Sequence, residues 1–204
     1  MTNEQYYDFI QPYQNACQMM RARLEVLNKS LYCKTPASPI HNIQERIKSK
    51  KSIEKKLCKM GYSDSVQNAK DYLQDIAGIR VICYFIDDIY NLVNALKRQN
   101  ELIVIKEKDY IMGPKANGYR SFHVTIALPV YYLDTMEYFP VEIQLRTMTM
   151  DLWASMEHRV CYKKQPEHKA ELAEAFHQYA DILGKIEEQF EAYNETGMLE
   201  EIEQ

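Results

Sequence analysis

Residues 113–130 read GPKANGYRSFHVTIALPV, and the conformation of the second half of this stretch decides the fold. Gly113 and Gly118 stand five positions apart, the glycine spacing of a phosphate-cradling P-loop, G-x-x-x-x-G-K-[ST]. In a P-loop a lysine and a hydroxyl follow the second glycine, and the chain then opens a helix whose terminal amides hold phosphate. Here Tyr119 and Arg120 follow, and Val124, Ile126 and Leu128 alternate with polar or small residues at the period of a strand. A Gly/Pro loop that runs into a strand excludes the Walker arrangement.

The neighbouring segments read as strands too. ELIVIKEKDYI precedes the loop and EYFPVEIQLRT follows it, with no helical stretch in between. Strands that follow one another directly make a mixed or antiparallel sheet, which argues against a doubly wound fold. Upstream, IAGIRVICYFI is β-branched and apolar, a buried strand, and DDIYNLVNALKRQ after it is a helix. KSIEKKLCKMG reads as a helix stopped by Gly61, whereas IHNIQERIKS fits a short strand or an irregular segment equally. Residues 4–31 predict a helix, or a pair of helices broken at Pro12, and CKTPASP is a linker. MTMDLWASMEHRVCYK predicts a helix, and a long amphipathic one starts at Pro166. The expectation is an α/β (α+β) chain with a sheet of about four or five strands, flanked by helices and extended by helices at both ends.

The composition, 46% hydrophobic and 26% charged, excludes wholesale disorder, and 204 residues suit one domain. The longest uncharged central run, SFHVTIALPVYYL, has 13 residues, too few to cross a bilayer, and MTNEQYYDF lacks the pattern of a secretory leader. A cytoplasmic protein without a membrane partner is expected. The five cysteines form no C-x-x-C and read as small buried hydrophobes. The net charge of −4 argues against stable nucleic-acid binding. Yet Arg46, Lys48, Lys50, Lys51, Lys55, Lys56 and Lys59 crowd one stretch against a single Glu54, while seven glutamates and no basic residue follow Lys185. A local basic cluster in an acidic chain suits a small anionic ligand; a solvated helix face gives the same pattern.

Chemistry-bearing residues fall on these elements at regular spacings. In an extended chain Tyr119, Ser121 and His123 share one face and Phe122, Val124, Ile126 and Leu128 the other. Lys115 and Arg120 add cations beside them, and tyrosine can stack on a base while lysine, arginine and histidine contact phosphates. A hairpin with a polar outer face reads the same way. In PVEIQLRT, Val141, Ile143 and Leu145 point one way and Glu142, Gln144 and Arg146 the other. Asp75, at the start of the buried strand, is a turn residue or a partner for Glu142 across neighbouring strands; two such carboxylates are a common way to hold Mg²⁺. Arg80 is an odd number of residues from Asp75, so an ideal strand separates their faces, unless a turn at Gly78 intervenes. If residues 43–48 are extended, Arg46 and Lys48 share a face, and Ser52 and Lys56 are i,i+4 neighbours on the helix that follows.

In this order the segments resemble the synthetase domain of the RelA/SpoT alarmone enzymes, specifically the single-domain small alarmone synthetases. The matching pieces are R-x-K-x-x-x-S-x-x-x-K (Arg46, Lys48, Ser52, Lys56), DIAGIR (Asp75 to Arg80) and KDYI-x-x-PK-x-NGYRSFH (Lys108 to His123). VEIQLRT (Val141 to Thr147) and W-A-x-x-E-H-x-x-x-Y-K (Trp153 to Lys163) complete a set spanning about residues 40–163. Any one motif is weak, and the ordered set is strong. The resemblance implies a nucleotidyltransferase-like fold, with N-terminal helices over 1–32, a catalytic core over 40–163 and a C-terminal helix over 166–204. It implies transfer of the β,γ-diphosphate of ATP to the ribose 3′-hydroxyl of GTP or GDP, with AMP released. Asp75 and Glu142 would bind Mg²⁺, with Glu142 a candidate base. Arg46 and Arg80 would sandwich adenine, and Lys48, Ser52 and Lys56 would sit near the ATP phosphates. Tyr119 would stack on guanine, with Lys115, Asn117, Arg120, His123 and Gln144 helping to hold the acceptor. The resemblance also implies a homotetramer built through terminal helices. No His-Asp dipeptide of the family's hydrolase module occurs, so synthesis without hydrolysis is expected. Two rivals remain at this stage, a toxic relative acting on adenine nucleotides or the tRNA 3′ end, and an inactive nucleotide-binding regulator.

Overall fold

A computed structural model of the chain describes residues 1–33, 37–132, 134–161 and 169–196. Its centre is a sheet of five strands: β1 (Ile40–Ile47), β2 (Ala77–Cys83), β3 (Ile103–Asp109), β4 (Phe122–Tyr132) and β5 (Thr135–Thr147), in the order β1-β2-β5-β4-β3. Only the β2–β5 pair is parallel. The sheet is therefore mixed, antiparallel over residues 103–147 as the absence of intervening helices requires. The ambiguous stretch at 40–47 is a strand, fixed by its antiparallel pairing with β2. Both edge strands carry a register shift, at Ile40/Asn42 in β1 and at Val104/Lys106 in β3, irregularities that discourage edge-to-edge pairing.

One face of the sheet is the core. Ala77, Ile79 and Val81 lie beside Val141, Ile143 and Leu145, which in turn face Ile126, Val124 and Phe122, all buried. Helices α1 (Asn3–Tyr32) and α4 (Ile86–Lys97) cover this face. α1 presents Phe9, Ile10, Tyr13, Ala16, Cys17, Met20 and Leu24, a single buried stripe at helical spacing. It is one helix and not a pair. Pro12 removes one backbone hydrogen bond, a cost of about 3 kcal/mol in a helix interior, but apolar burial on both sides of it holds the helix together. A capping box between Thr2 and Gln5 starts it. α4 buries Ile89, Leu92, Val93 and Leu96, and Asp88 accepts from the Phe85 amide at its start.

On the other side of the chain's path, α2 (Lys50–Lys59) ends where Gly61 adopts φ +82, as the sequence requires. The short α3 (Val66–Tyr72) has no sequence signal beyond the Ser65 cap, because it buries only Ala69. α5 (Met148–Cys161) and α6 (Lys169–Thr196) pair at one end of the sheet around Trp153, Phe176 and Ala180. The Trp153 indole N–H donates to the Phe176 carbonyl at 2.6 Å. Tyr162, Lys163 and the expected helix start at Pro166 lie outside the described residues. Cys17 and Cys83 are buried as expected, but Cys33 and Cys58 are exposed: they fall on the outer surfaces of α1's end and of α2.

Candidate active site

The second face of the sheet is only partly covered, and its register assembles the polar residues. Laterally paired residues in a sheet share a face, so two rungs run across all five strands. The first is Arg46, Gly78, Glu142, Thr125 and Lys106; the second is Gln44, Arg80, Gln144, His123 and Lys108. The odd separation of Asp75 and Arg80 is resolved here. Asp75 precedes β2, so strand parity does not apply to it, and both residues line one cleft.

That cleft encloses about 510 Å³ and is bordered by Arg46, Lys48, Asp75, Arg80, Glu142 and Gln144. A second cleft of about 290 Å³ opens on the other side of Asp75 and Glu142, toward Lys56, Tyr72, Lys106, Lys108 and His123. The two clefts share the two carboxylates. Volumes of a few hundred Å³ suit small-molecule ligands. Gly78 forms the floor of the first cleft between Arg46 and Glu142, and a Cβ there would meet only the Arg46 and Glu142 carbonyls at 3.6 and 3.8 Å. Gly78→Val is therefore expected to fold while its methyls fill the cleft floor. Calorimetric titration should show binding at the first cleft weakened at least about tenfold, with little change in melting temperature.

Asp75 is held by Lys48 and, at 2.7 Å, by Lys56. Burial opposes its ionisation, but hydrogen bonds and charge from the two lysines outweigh it, so its pKa lies below the usual carboxylate range. Asp75 is thus an anion at any working pH. Its Oδ1 is buried without a hydrogen-bond partner. Glu142 accepts from the Gln144 amide at 3.1 Å, and its Oε1 lies 3.9 Å from His123 Nδ1. An orphaned carboxylate oxygen beside a second carboxylate fits a hard divalent cation such as Mg²⁺. No group of three or more His, Cys, Asp or Glu side chains converges among the described residues, so such an ion would complete its shell with ligand oxygens.

The loop 113–121 is built on itself. The Lys115 amide donates to the Tyr119 carbonyl, the Gly118 amide to the Lys115 carbonyl, and the Tyr119 amide to Asn117 Oδ1 at 3.2 Å. Asn117 is thus turned to the loop backbone. The Lys115 ammonium lies 4.7 and 4.5 Å from the centres of the Tyr110 and Tyr119 rings. Tyr119 Oη is 2.8 Å from His123 Nε2 and accepts from Arg146 at 2.9 Å. Burial and the charges of Arg146, Lys115 and Lys108 push the His123 pKa down to about 4. His123 is therefore a neutral hydrogen-bonding group and not the phosphate-binding cation that its residue type suggests. Between an ordinary histidine pKa and about 4 the unfolded chain takes up a proton that the folded chain declines, so acidification through that window destabilises the fold. NMR of the His123 ring should show no titration until the pH approaches 4; a midpoint near 6.5 would show an exposed, chargeable ring.

Three sequence-singled residues sit differently from their expected places. β4 begins only at Phe122, so the alternation expected from residue 119 fails at Ser121, which is buried and donates to the Leu145 carbonyl. Arg120 faces away from both clefts, into a small space bounded by Gly118, Thr149, Trp153 and Gly184 of α6. This placement follows from the same irregular backbone before β4. Ser52 lies outside the lining of both clefts, 2.9 Å from Ser49 at the start of α2. The sequence reading missed Gln44 and Lys106, which only the register brings to the face, and Asp151 of α5, which meets Arg146 at 3.1 Å and Arg80 at 3.5 Å. Arg146 was visible through its alternation with Glu142 and Gln144.

Comparison with known proteins bears on the fold and the family. A family model described as a region found in RelA/SpoT proteins matches residues 45–167. The chain is 43% identical over 151 residues to GTP pyrophosphokinase YwaC of Bacillus subtilis (strain 168), covering 74% of this chain and 72% of that protein. It is 31% identical over 163 residues to GTP pyrophosphokinase YjbM of the same strain, covering 80% and 76%. The crystal structure of small alarmone synthetase 1 from Bacillus subtilis bound to its product pppGpp matches with a TM-score of 0.84 and 26% identity, over 96% of this chain and 100% of that one. Small alarmone synthetase 2 from the same organism matches at 0.79 and 35% identity, over 97% and 99%. The chain belongs to the RelA/SpoT family, among its small alarmone synthetases.

Proposed function

We propose that the protein is a (p)ppGpp synthetase, a GTP diphosphokinase that moves the β,γ-diphosphate of ATP to the 3′-hydroxyl of GTP or GDP and releases AMP. The observation that carries this is the pair of clefts meeting at Asp75 and Glu142. A reaction between two nucleotides needs two sites whose reacting ends share one electrostatic centre.

ATP takes the first cleft, its adenine between Arg46 and Arg80 and its phosphates toward Lys48 and, past the shared Asp75, toward Lys56. As the phosphates arrive, the two lysines transfer their hydrogen bonds from Asp75 to the ligand. Guanine stacks on Tyr119 in place of the Lys115 ammonium, which turns to the acceptor's phosphates. The acceptor ribose then reaches Glu142, which Gln144 holds in place beside His123. Glu142 takes the proton of the 3′-hydroxyl as its oxygen attacks the β-phosphorus; the bond from that phosphorus to the α,β-bridging oxygen breaks, and AMP leaves with the electron pair. Mg²⁺ held by Asp75 and Glu142 would neutralise the polyphosphate charge and so let the two anions approach.

The reading extends to synthesis without hydrolysis, a cytoplasmic location and a homotetramer. No helix among the described residues is long and apolar enough to cross a membrane. Tyr179, Ile182, Ile186, Phe190 and Tyr193 are exposed along α6, where an assembly of copies would bury them. An acceptor panel tests the function. Purified protein with ATP and Mg²⁺ receives GTP, GDP, GMP, ATP or tRNA in turn, and separately ppGpp alone. Product on GTP or GDP, with ppGpp left intact, is expected; product on ATP or tRNA only would overturn the guanosine assignment.

A further inference from the structure

Asp151 stands in the first turn of α5, outside the strands that supply the site, yet one of its oxygens is shared by two arginines with different neighbours. Oδ1 lies 3.5 Å from Arg80 and 3.1 Å from Arg146. Arg80 borders the first cleft. Arg146 is buried, donates to Tyr119 Oη at 2.9 Å and lies over the Tyr119 ring at 5.2 Å. Tyr119 in turn bonds His123, which faces Glu142. An unbroken polar chain thus runs from Arg80 at the first cleft, through Asp151 of α5, Arg146 and Tyr119, to His123 at the second.

The sharing of one oxygen gives this chain a direction. Two guanidiniums compete for Oδ1, and the Nε atoms of both are buried without partners, so neither arginine is saturated. A ligand that draws the Arg80 guanidinium over its own ring leaves Oδ1 to Arg146 alone. Arg146, with little exposure to water, gains most from an undivided carboxylate, and its grip on Tyr119 stiffens. We propose that Asp151 is a positioning residue that couples the two clefts, so that occupation of the ATP cleft tightens binding of the guanine nucleotide at Tyr119. This rests on the proposed function for the identity of the two ligands and adds an energetic link between their sites.

The test is a pair of equilibrium titrations. GTP affinity is measured with and without a non-hydrolysable ATP analogue, both with Mg²⁺, for the unmodified protein, Asp151→Asn and Arg80→Lys. The unmodified protein should bind GTP several-fold tighter, on the order of 5- to 10-fold, when the analogue is present. In Asp151→Asn, which keeps the side chain's shape, each nucleotide still binds but the dependence shrinks toward none. Arg80→Lys removes the guanidinium that competes for Oδ1, so GTP alone should bind about as tightly as it does to the unmodified protein with the analogue present, a gain that mere loss of analogue binding would not give. Coupling of equal size in the unmodified protein and both variants would overturn the proposal, because the nucleotides would then be acting on each other directly. So would its absence from the unmodified protein. Failure of the unmodified protein to bind either nucleotide would instead overturn the functional assignment beneath it.

Discussion

Asp75→Asn and Glu142→Gln should each lower diphosphate transfer by about 10²- to 10⁴-fold, the range of a lost catalytic acid–base group. The two residues fail differently. Asp75 is tied up by hydrogen bonds and charge from Lys48 and Lys56, which make it a weak proton acceptor; its loss removes the charge that balances the two lysines and half of the candidate cation site. Glu142 is the carboxylate that both clefts share with a strand on either side, and its loss removes the proton acceptor. Stability should hardly change in either case. Asp75, Lys48 and Lys56 all keep some exposure to solvent, and ion pairs of that kind contribute about 0–1 kcal/mol. Melting curves beside the assay distinguish the two effects, and a variant that keeps a tenth of the transfer rate would contradict the assigned roles.

Gly118→Ala carries the second large effect, through packing and not through chemistry. Gly118 has φ +88, a conformation that an L side chain rarely adopts. Its Cβ would lie 2.8 Å from the Ala180 Cβ and 3.1 Å from the His177 Cα, atoms of α6 that no side-chain rotation can move. Either the loop or α6 must shift, at about 1–3 kcal/mol of stability. Tyr119 is the next residue and packs on the same α5–α6 cluster, so the shift reaches the acceptor loop. The expected result is a KM for GTP raised at least about tenfold, with the KM for ATP nearly unchanged, because the first cleft makes no contact with α6. Gly113→Ala is the control. Its Cβ would meet only the Asp109 carbonyl at 3.6 Å, and both constants should stay put.

How far the sequence reaches is visible in particular residues. The alternation in PVEIQLRT separates Val141, Ile143 and Leu145, all fully buried, from Glu142, Gln144 and Arg146 on the site face. Gly61 marks a helix end because only a residue without a Cβ takes its φ cheaply. These are local signals. Pro12 misleads because tertiary burial along α1 outweighs a local penalty. The face shared by Arg80 and Asp75 is hidden until it is known that Asp75 lies outside the strand. Arg120 and Ser121 escape period-two reasoning because the chain becomes a strand only at Phe122. Gln44, Lys106 and Asp151 are illegible for a deeper reason. Each reaches the site through register or helix docking, and neither is written in the residues next to it.

The most direct test follows the label and the leaving group together. ATP labelled at the β-phosphate is mixed with the protein, Mg²⁺ and GTP, and the products are separated and counted. Label on the 3′-position of the guanosine nucleotide, with one AMP released per product and neither appearing with Asp75→Asn or Glu142→Gln, is the predicted result. Release of ADP in place of AMP, or label transfer that survives loss of either carboxylate, would contradict the assignment of this face as a diphosphate-transfer site.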